Sequence, residues 1–199
     1  LAAAADSLAA LAERLAGWEG SELRHGARNC VFADGMPGAR VMVIGEAPGA
    51  DEDRLGRPFV GRAGQMLDRM LAAIGLSRSA EDPARAVYIT NILPWRPPGN
   101  RTPSEAEVVA FLPFVERHIA LARPDFLLTL GNTPTKALLA TTTGIRRMRG
   151  TWRRHGASGL PLLPSFHPAY LLRQPAEKAQ AWRDLLALRR ALDGELPDP

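Results

Sequence analysis

Cysteine is nearly absent from this chain. Cys30 stands alone among 199 residues, so neither a disulfide nor a cysteine-ligated metal or iron-sulfur site can be built within it. Lysine is scarce too: Lys136 and Lys178 are the only two, and arginine carries nearly all of a net charge of +4. Arginine forks fit phosphate oxygens, which makes the excess compatible with nucleic acid, although arginine-rich codon usage produces the same balance. No apolar run approaches membrane-spanning length, and Leu1 does not open a basic region followed by an apolar one, so neither a membrane helix nor a secretion signal is expected. What is present suits one substantial core: 46% of residues are apolar and 23% charged. The expectation is one domain over residues 1–199, with 1–31 forming an amino-terminal helix and an irregular segment packed on it.

Apolar and turn signals alternate along the chain. Leu1 to Leu15 has helical spacing, and Gly17 to Gly38 reads as irregular, with turns at Asp34-Gly35 and Pro37-Gly38. Strands are expected at Val41 to Ile44, Val87 to Ile92, Phe126 to Leu130 and, more weakly because of Pro161, Leu160 to Leu163. Between them, helices are expected at Gln65 to Ile74, from Thr102, after Thr133-Pro134, and over Glu177 to Leu192. Thr102-Pro103-Ser104-Glu105 reads as a capping box with Thr102 as the cap, and Pro113 should bend the helix that follows. Strands alternating with helices imply an α/β fold, a three-layer α/β/α sandwich around a central, mainly parallel four-stranded sheet.

In such a sheet successive carboxyl ends lie on one side, so Glu46, Asn91, Gly131 and His167, each at or just past a different strand, converge on one crevice. The segment Gly45-Glu46-Ala47-Pro48-Gly49 delivers a carboxylate there on a turn where glycine allows close approach and proline removes slack. Taken singly, Glu46 also reads as a helix-capping or salt-bridged carboxylate, Asn91 as a turn anchor, and Phe59 or His167 as core. Asp51, Glu52 and Asp53 point in different directions with no histidine nearby, so no metal is expected on them, and Asp53 reads as a support for the turn.

These residues carry a resemblance. Gly45-Glu46-Ala47-Pro48-Gly49 with Gly56-Arg57-Pro58-Phe59-Val60-Gly61, Asn91 before Arg96-Pro97-Pro98-Gly99-Asn100-Arg101, Thr129-Leu130-Gly131, and His167-Pro168-Ala169-Tyr170-Leu171-Leu172-Arg173 resemble the uracil-DNA glycosylase superfamily, closest to family 4, from about Phe32 to Leu188. The chain departs from family 4 in one respect. That family holds an iron-sulfur cluster on four cysteines, and by spacing those positions fall near Trp18, Ser21, Trp95 and Phe111. The resemblance therefore implies a cluster-free branch with no cofactor, in which hydrophobic contact staples the amino-terminal segment to the sheet.

The resemblance also implies roles. Breaking an N-glycosidic bond leaves positive charge on the sugar and negative charge on the base, which calls for an anion, a donor and a placed water. Glu46 would orient the water and stabilise the sugar cation, and a neutral His167 would donate to a base carbonyl. Gly45, Ala47, Phe59 and Asn91 would form the base pocket, Asn91 matching the N3–H and O4 edge of uracil and Phe59 stacking on the flipped base. Gly49 leaves open the space where a uracil-specific branch has tyrosine, so tolerance of C5-substituted or other deaminated bases is expected. DNA contacts are expected from Arg62, Arg101, Gly131, Asn132, Ala169, Tyr170, Leu171 and Arg173, with Tyr170, Leu171 or Leu172 filling the vacated stack or, alternatively, packing in the core. The basic run from Arg146 to Arg154 reads as a solvated loop. The expected partner is DNA carrying uracil or a related lesion, acted on by a monomer in the cytoplasm of a bacterial-type cell, at its nucleoid and away from membranes. The rival is a protein that binds uracil or abasic DNA with little turnover. Trapping of the product by histidine in the loop after the Asn91 strand is not expected, since Trp95 to Pro103 contains none.

Overall fold

Strand and helix formers alternate, and so do the elements of the computed structural model, which describes residues 1–197. After a helical turn at Ala2–Ala4 come α1 (Leu8–Ala16), α2 (Leu23–Gly26), β1 (Asp34–Gly35) and β2 (Val41–Gly45). Then follow α3 (Ala50–Leu55), α4 (Arg62–Ala72), β3 (Val87–Asn91), α5 (Glu105–Ala122), β4 (Phe126–Leu130), α6 (Asn132–Leu139) and α7 (Ile145–Met148). The chain closes with β5 (Arg153–Arg154), β6 (Pro161–Ser165), α8 (Pro168–Arg173) and α9 (Lys178–Leu192).

Local chemistry corrects two expected helix starts. The amino-terminal stretch is broken because the Ser7 hydroxyl accepts from the Ala10 N–H at 3.1 Å and caps α1. In α5 the cap is Ser104 rather than Thr102. Its hydroxyl accepts from the Glu107 N–H at 3.2 Å while Glu107 accepts from the Ser104 N–H at 2.9 Å, and Pro103 is buried in the extended approach. The helix then runs unbroken through Pro113 to Ala122.

The sheet has six strands in the order β1-β3-β2-β4-β6-β5, not four. Strands β3, β2, β4 and β6 are the expected parallel set, and two-residue antiparallel strands extend each edge. Segments that short have no periodicity to read. Alternate strand residues feed opposite layers. Met42, Ile44, Tyr88, Leu127 and Leu162 face the layer of α1, α5 and α6, whereas Val41, Val43, Ile89, Leu128 and Leu163 face α4 and α9. The β2-to-β3 connection therefore crosses one face and the β4-to-β6 connection the other. The crevice that opens between the carboxyl ends of β2 and β4 is a topological switch point, the place where open α/β sheets bind ligands.

An aromatic brace joins the amino-terminal segment to the first of these layers. Trp18, just past α1, meets Phe111 edge-on with centroids 5.2 Å apart and lies 5.1 Å from Phe114; Trp95, past β3, meets Phe111 at 5.7 Å.

Candidate active site at the carboxyl edge of the sheet

Gly45 ends β2 where no side chain fits. A Cβ there would lie 2.5 Å from Asn91 Oδ1 and 2.5 Å from Phe59 Cζ, so the backbone itself forms the floor between those two groups. The Phe59 ring stacks on the His167 ring, centroids 5.5 Å apart, and the His167 Cβ lies 3.3 Å from where a Cβ on Gly131 would stand. Across the switch point, the Thr133 hydroxyl in the first turn of α6 donates to Glu46 Oε2 at 2.6 Å. Glu46, Asn91, Gly131 and His167 thus meet as the topology requires, and Gly45 and Phe59 join them. Ala47 continues the turn, half-buried, and packs toward the α1 and α5 layer.

The polar groups here have distinct states. Asn91 is buried, and its Oδ1 has no hydrogen-bond partner, a costly condition inside a protein and a prepared one for an N–H donor. His167 Nδ1 accepts from the Ala169 N–H at 3.0 Å, which places the proton of the neutral ring on Nε2. Burial, with a smaller contribution from the positive Arg173, lowers its pKa from 6.5 to about 4. At neutral pH His167 is therefore an uncharged N–H donor.

Carboxylates order the surrounding loops, and the one that holds the turn is Glu52 rather than the expected Asp53. Glu52 accepts from Gly49 N–H at 3.1 Å, Val60 N–H at 3.2 Å and Gly61 N–H at 2.8 Å. Asp53 instead reaches the amino-terminal segment, accepting from Arg28 N–H at 2.8 Å and Asn29 N–H at 3.0 Å. Both lie on the short helix α3, where neighbouring side chains project in different directions.

The expected DNA-facing residues divide. Arg62 at the start of α4 and Arg173 at the end of α8 are exposed, while Ala169 and Tyr170 are half-exposed. Leu171 is not a free tip: it is 1% exposed and packs with Met66, Phe166 and Ala181, because α8 is short and must bury one side. Arg101 is not a free cation either, since both its terminal nitrogens donate to Glu107, at 2.9 and 2.6 Å, an arrangement that lowers the Glu107 pKa to about 2. Asn132 Oδ1 accepts from the Ile145 N–H at 2.8 Å and so caps the approach to α7, and Gly131 takes the positive φ of 91° that this corner requires.

Sequence reasoning missed three groups. Arg146, read as part of a solvated loop, lies over the Tyr170 ring at 5.6 Å and donates to its hydroxyl. Thr133 was visible only as a helix start. Arg78, which donates to the Pro58 and Phe59 carbonyls, carried no signal at all.

The chain matches the Uracil DNA glycosylase superfamily over residues 32–186. Similar proteins include the Type-4 uracil-DNA glycosylase of Pyrobaculum aerophilum, 38% identical over 79% of this chain and 81% of that protein. The Type-4 uracil-DNA glycosylase of Saccharolobus solfataricus is 39% identical over 84% of this chain and 78% of its own length. That of Thermotoga maritima is 39% identical over 73% and 72%. With the match spanning every strand of the parallel set and the crevice between them, the chain belongs to the uracil DNA glycosylase superfamily.

Proposed function

We propose that this protein is a uracil-DNA glycosylase that flips a uracil out of DNA and hydrolyses its N-glycosidic bond, leaving an abasic site. The observation that carries the reading is the buried Asn91 with its unpartnered Oδ1, held with the Phe59 ring against the Gly45 backbone, Phe59 in turn stacking on His167. An acceptor beside the amide's own N–H donors pairs with the N3–H and O4 of uracil and mismatches cytosine, whose edge has the opposite polarity. The Phe59 ring replaces the stacking lost on flipping. His167 Nε2–H donates to the pyrimidine carbonyl as the C1′–N1 electrons pass to the base, and Glu46 stabilises the sugar cation while orienting the water whose oxygen bonds to C1′ and whose proton passes by way of the carboxylate to the departing base. Thr133 holds the carboxylate for that task. Gly49 carries no side chain that could crowd the C5 position, which supports tolerance of C5-substituted uracils or other deaminated bases. Arg62, Gly131, Asn132, Tyr170 and Arg173, joined by Arg146, form the surface for phosphates and the vacated stack. As part of the same proposal the protein acts on DNA as a monomer, at the nucleoid in the cytoplasm. No helix among the described residues is long and apolar enough to cross a membrane.

The proposal extends to a cluster-free form of family 4. What supports it is the chemistry of the four positions, which do not fit an iron-sulfur group. Trp18, Trp95 and Phe111 are rings packed on one another, and the Ser21 hydroxyl accepts from the Leu23 N–H at 3.3 Å. The lone thiol, Cys30, is pushed up to about 11 by burial, away from the thiolate that a metal requires.

The test is a gel assay of uracil-containing and matched control oligonucleotides, with abasic sites cleaved by alkali, for the parent, Glu46→Ala and Asn91→Ala. Uracil-dependent cleavage by the parent and its loss in both variants is expected. Undiminished cleavage by both variants overturns the residue roles. No cleavage by the parent, with retention of uracil or abasic DNA in a mobility shift, favours the binding protein instead.

A further inference from the structure

Phe59 is one of four non-glycine residues with positive φ among the described residues, at 53°, a conformation that side-chain-bearing residues seldom adopt. It is also the ring stacked on His167. The backbone around it is gripped from two directions. On one side, Gly64 of α4 lets the Phe59 carbonyl approach so closely that a Cβ there would lie 1.9 Å from the carbonyl oxygen. On the other, Arg78 reaches in from the connection between α4 and β3. Its Nη1 donates to the Pro58 carbonyl and its Nη2 to the Phe59 carbonyl, both at 2.7 Å. The fork is itself aimed by two carboxylates, Asp68 accepting from Nε at 2.9 Å and Asp34 from Nη1 at 3.2 Å. With its side chain only 13% exposed, Arg78 is built into the fold rather than displayed to solvent.

We propose that Arg78 is a positioning residue for Phe59: its planar fork holds two consecutive carbonyls so that the phenyl ring is kept in the left-handed turn, parallel to the base site and against His167. The inference rests on the reading of Phe59 as the base-stacking ring. Two parallel N–H bonds to successive carbonyls fix both the location and the rotation of a peptide plane, which a lysine ammonium, a point charge, cannot do. The strained backbone is then maintained by neighbouring structure at the place where the chemistry needs a ring.

A double-mutant cycle tests this with single-turnover and steady-state excision by the parent, Arg78→Lys, Phe59→Ala and the double variant, each well below its melting temperature. Lysine keeps the charge that Asp34 and Asp68 require but loses the fork, and Arg78→Gln serves if the lysine variant does not fold. The expected result is that Arg78→Lys lowers kcat by about tenfold with little change in KM. In the Phe59→Ala background the same substitution then changes kcat by less than about twofold. An unchanged kcat in Arg78→Lys, alongside a loss in Phe59→Ala, overturns the role of Arg78 and leaves the pocket reading standing. Equal losses from Arg78→Lys in both backgrounds also overturn it, since the arginine then acts elsewhere. Full activity of Phe59→Ala overturns the pocket reading, and the inference with it.

Discussion

The aromatic brace and the crevice loops lie on either side of the same sheet end and are built by opposite means. Around Trp18, Trp95, Phe111 and Phe114 the chain uses ring-on-ring packing in ordinary helix and loop conformations. Around Phe59 it uses a left-handed backbone, an arginine fork, a carboxylate accepting three N–H groups, and an asparagine oxygen left without a partner. The brace relies on area removed from water, a force without direction that tolerates changes of shape. The crevice relies on directed bonds, which define a geometry at some cost in stability.

Substitutions should separate the two regions. The largest effect is expected from Glu46→Gln, which keeps an acceptor for Thr133 but removes the anion: excision should fall by roughly 10²–10³-fold in single-turnover kinetics while the melting temperature stays near the parent's. Loss of folding in this variant would erase the contrast. Trp18→Ala should do the reverse, costing about 2–3 kcal/mol of stability, seen as a melting temperature lower by roughly 5–10 °C, with kcat at 25 °C close to the parent's. A large fall in kcat for the folded variant would mean that the brace reaches the chemistry. Thr133→Val should slow excision by roughly 10-fold or somewhat more, as expected for one hydrogen bond to a charged group at about 1.5 kcal/mol; no change would remove Thr133 from the site.

The smallest effect is on pH. Burial lowers the pKa of His167 to about 4 and that of His118, on the brace side of the sheet, to about 3, both from 6.5. Between those values the unfolded chain binds protons that the folded one refuses. The stability contributed by the two neutral rings is therefore complete above about pH 6.5 and declines as the pH falls toward 4 and 3. Melting curves from pH 8 to 4 check the sign. Excision should stay level from pH 8 to 5 and drop only as His167 takes up its proton near pH 4. The variant His118→Phe should reduce the acid sensitivity of folding without moving the pH profile of the rate.

Much of the crevice was legible in the chain because strand ends announce themselves. The residues at or just past the ends of Val41 to Ile44, Val87 to Ile92 and Phe126 to Leu130 are placed by alternation and topology before any side chain is located. Residues that act from outside the strand ends were not legible. Thr133 shows itself only as a helix start, and Arg78 sits in an irregular connection whose partners, Asp34, Pro58 and Phe59, are 19 to 44 positions away. The wedge was read too generously at Leu171, since six residues of helix do not reveal which side is buried. Arg101 looked like a free cation because the cap was placed at Thr102, which left the box formed by Ser104 and Glu107, and with it the partner of Arg101, unseen.

The amino-acid sequence by itself determined the parallel sheet, the carboxylate turn and the absence of a thiolate ligand set, because periodicity, glycine and proline placement and cysteine count act locally or through composition. Only the tertiary structure decided which acceptor is left unpaired, which histidine nitrogen carries the proton, and which arginine holds the strained ring, because each depends on what segments distant in the chain place within about 3 Å of one another.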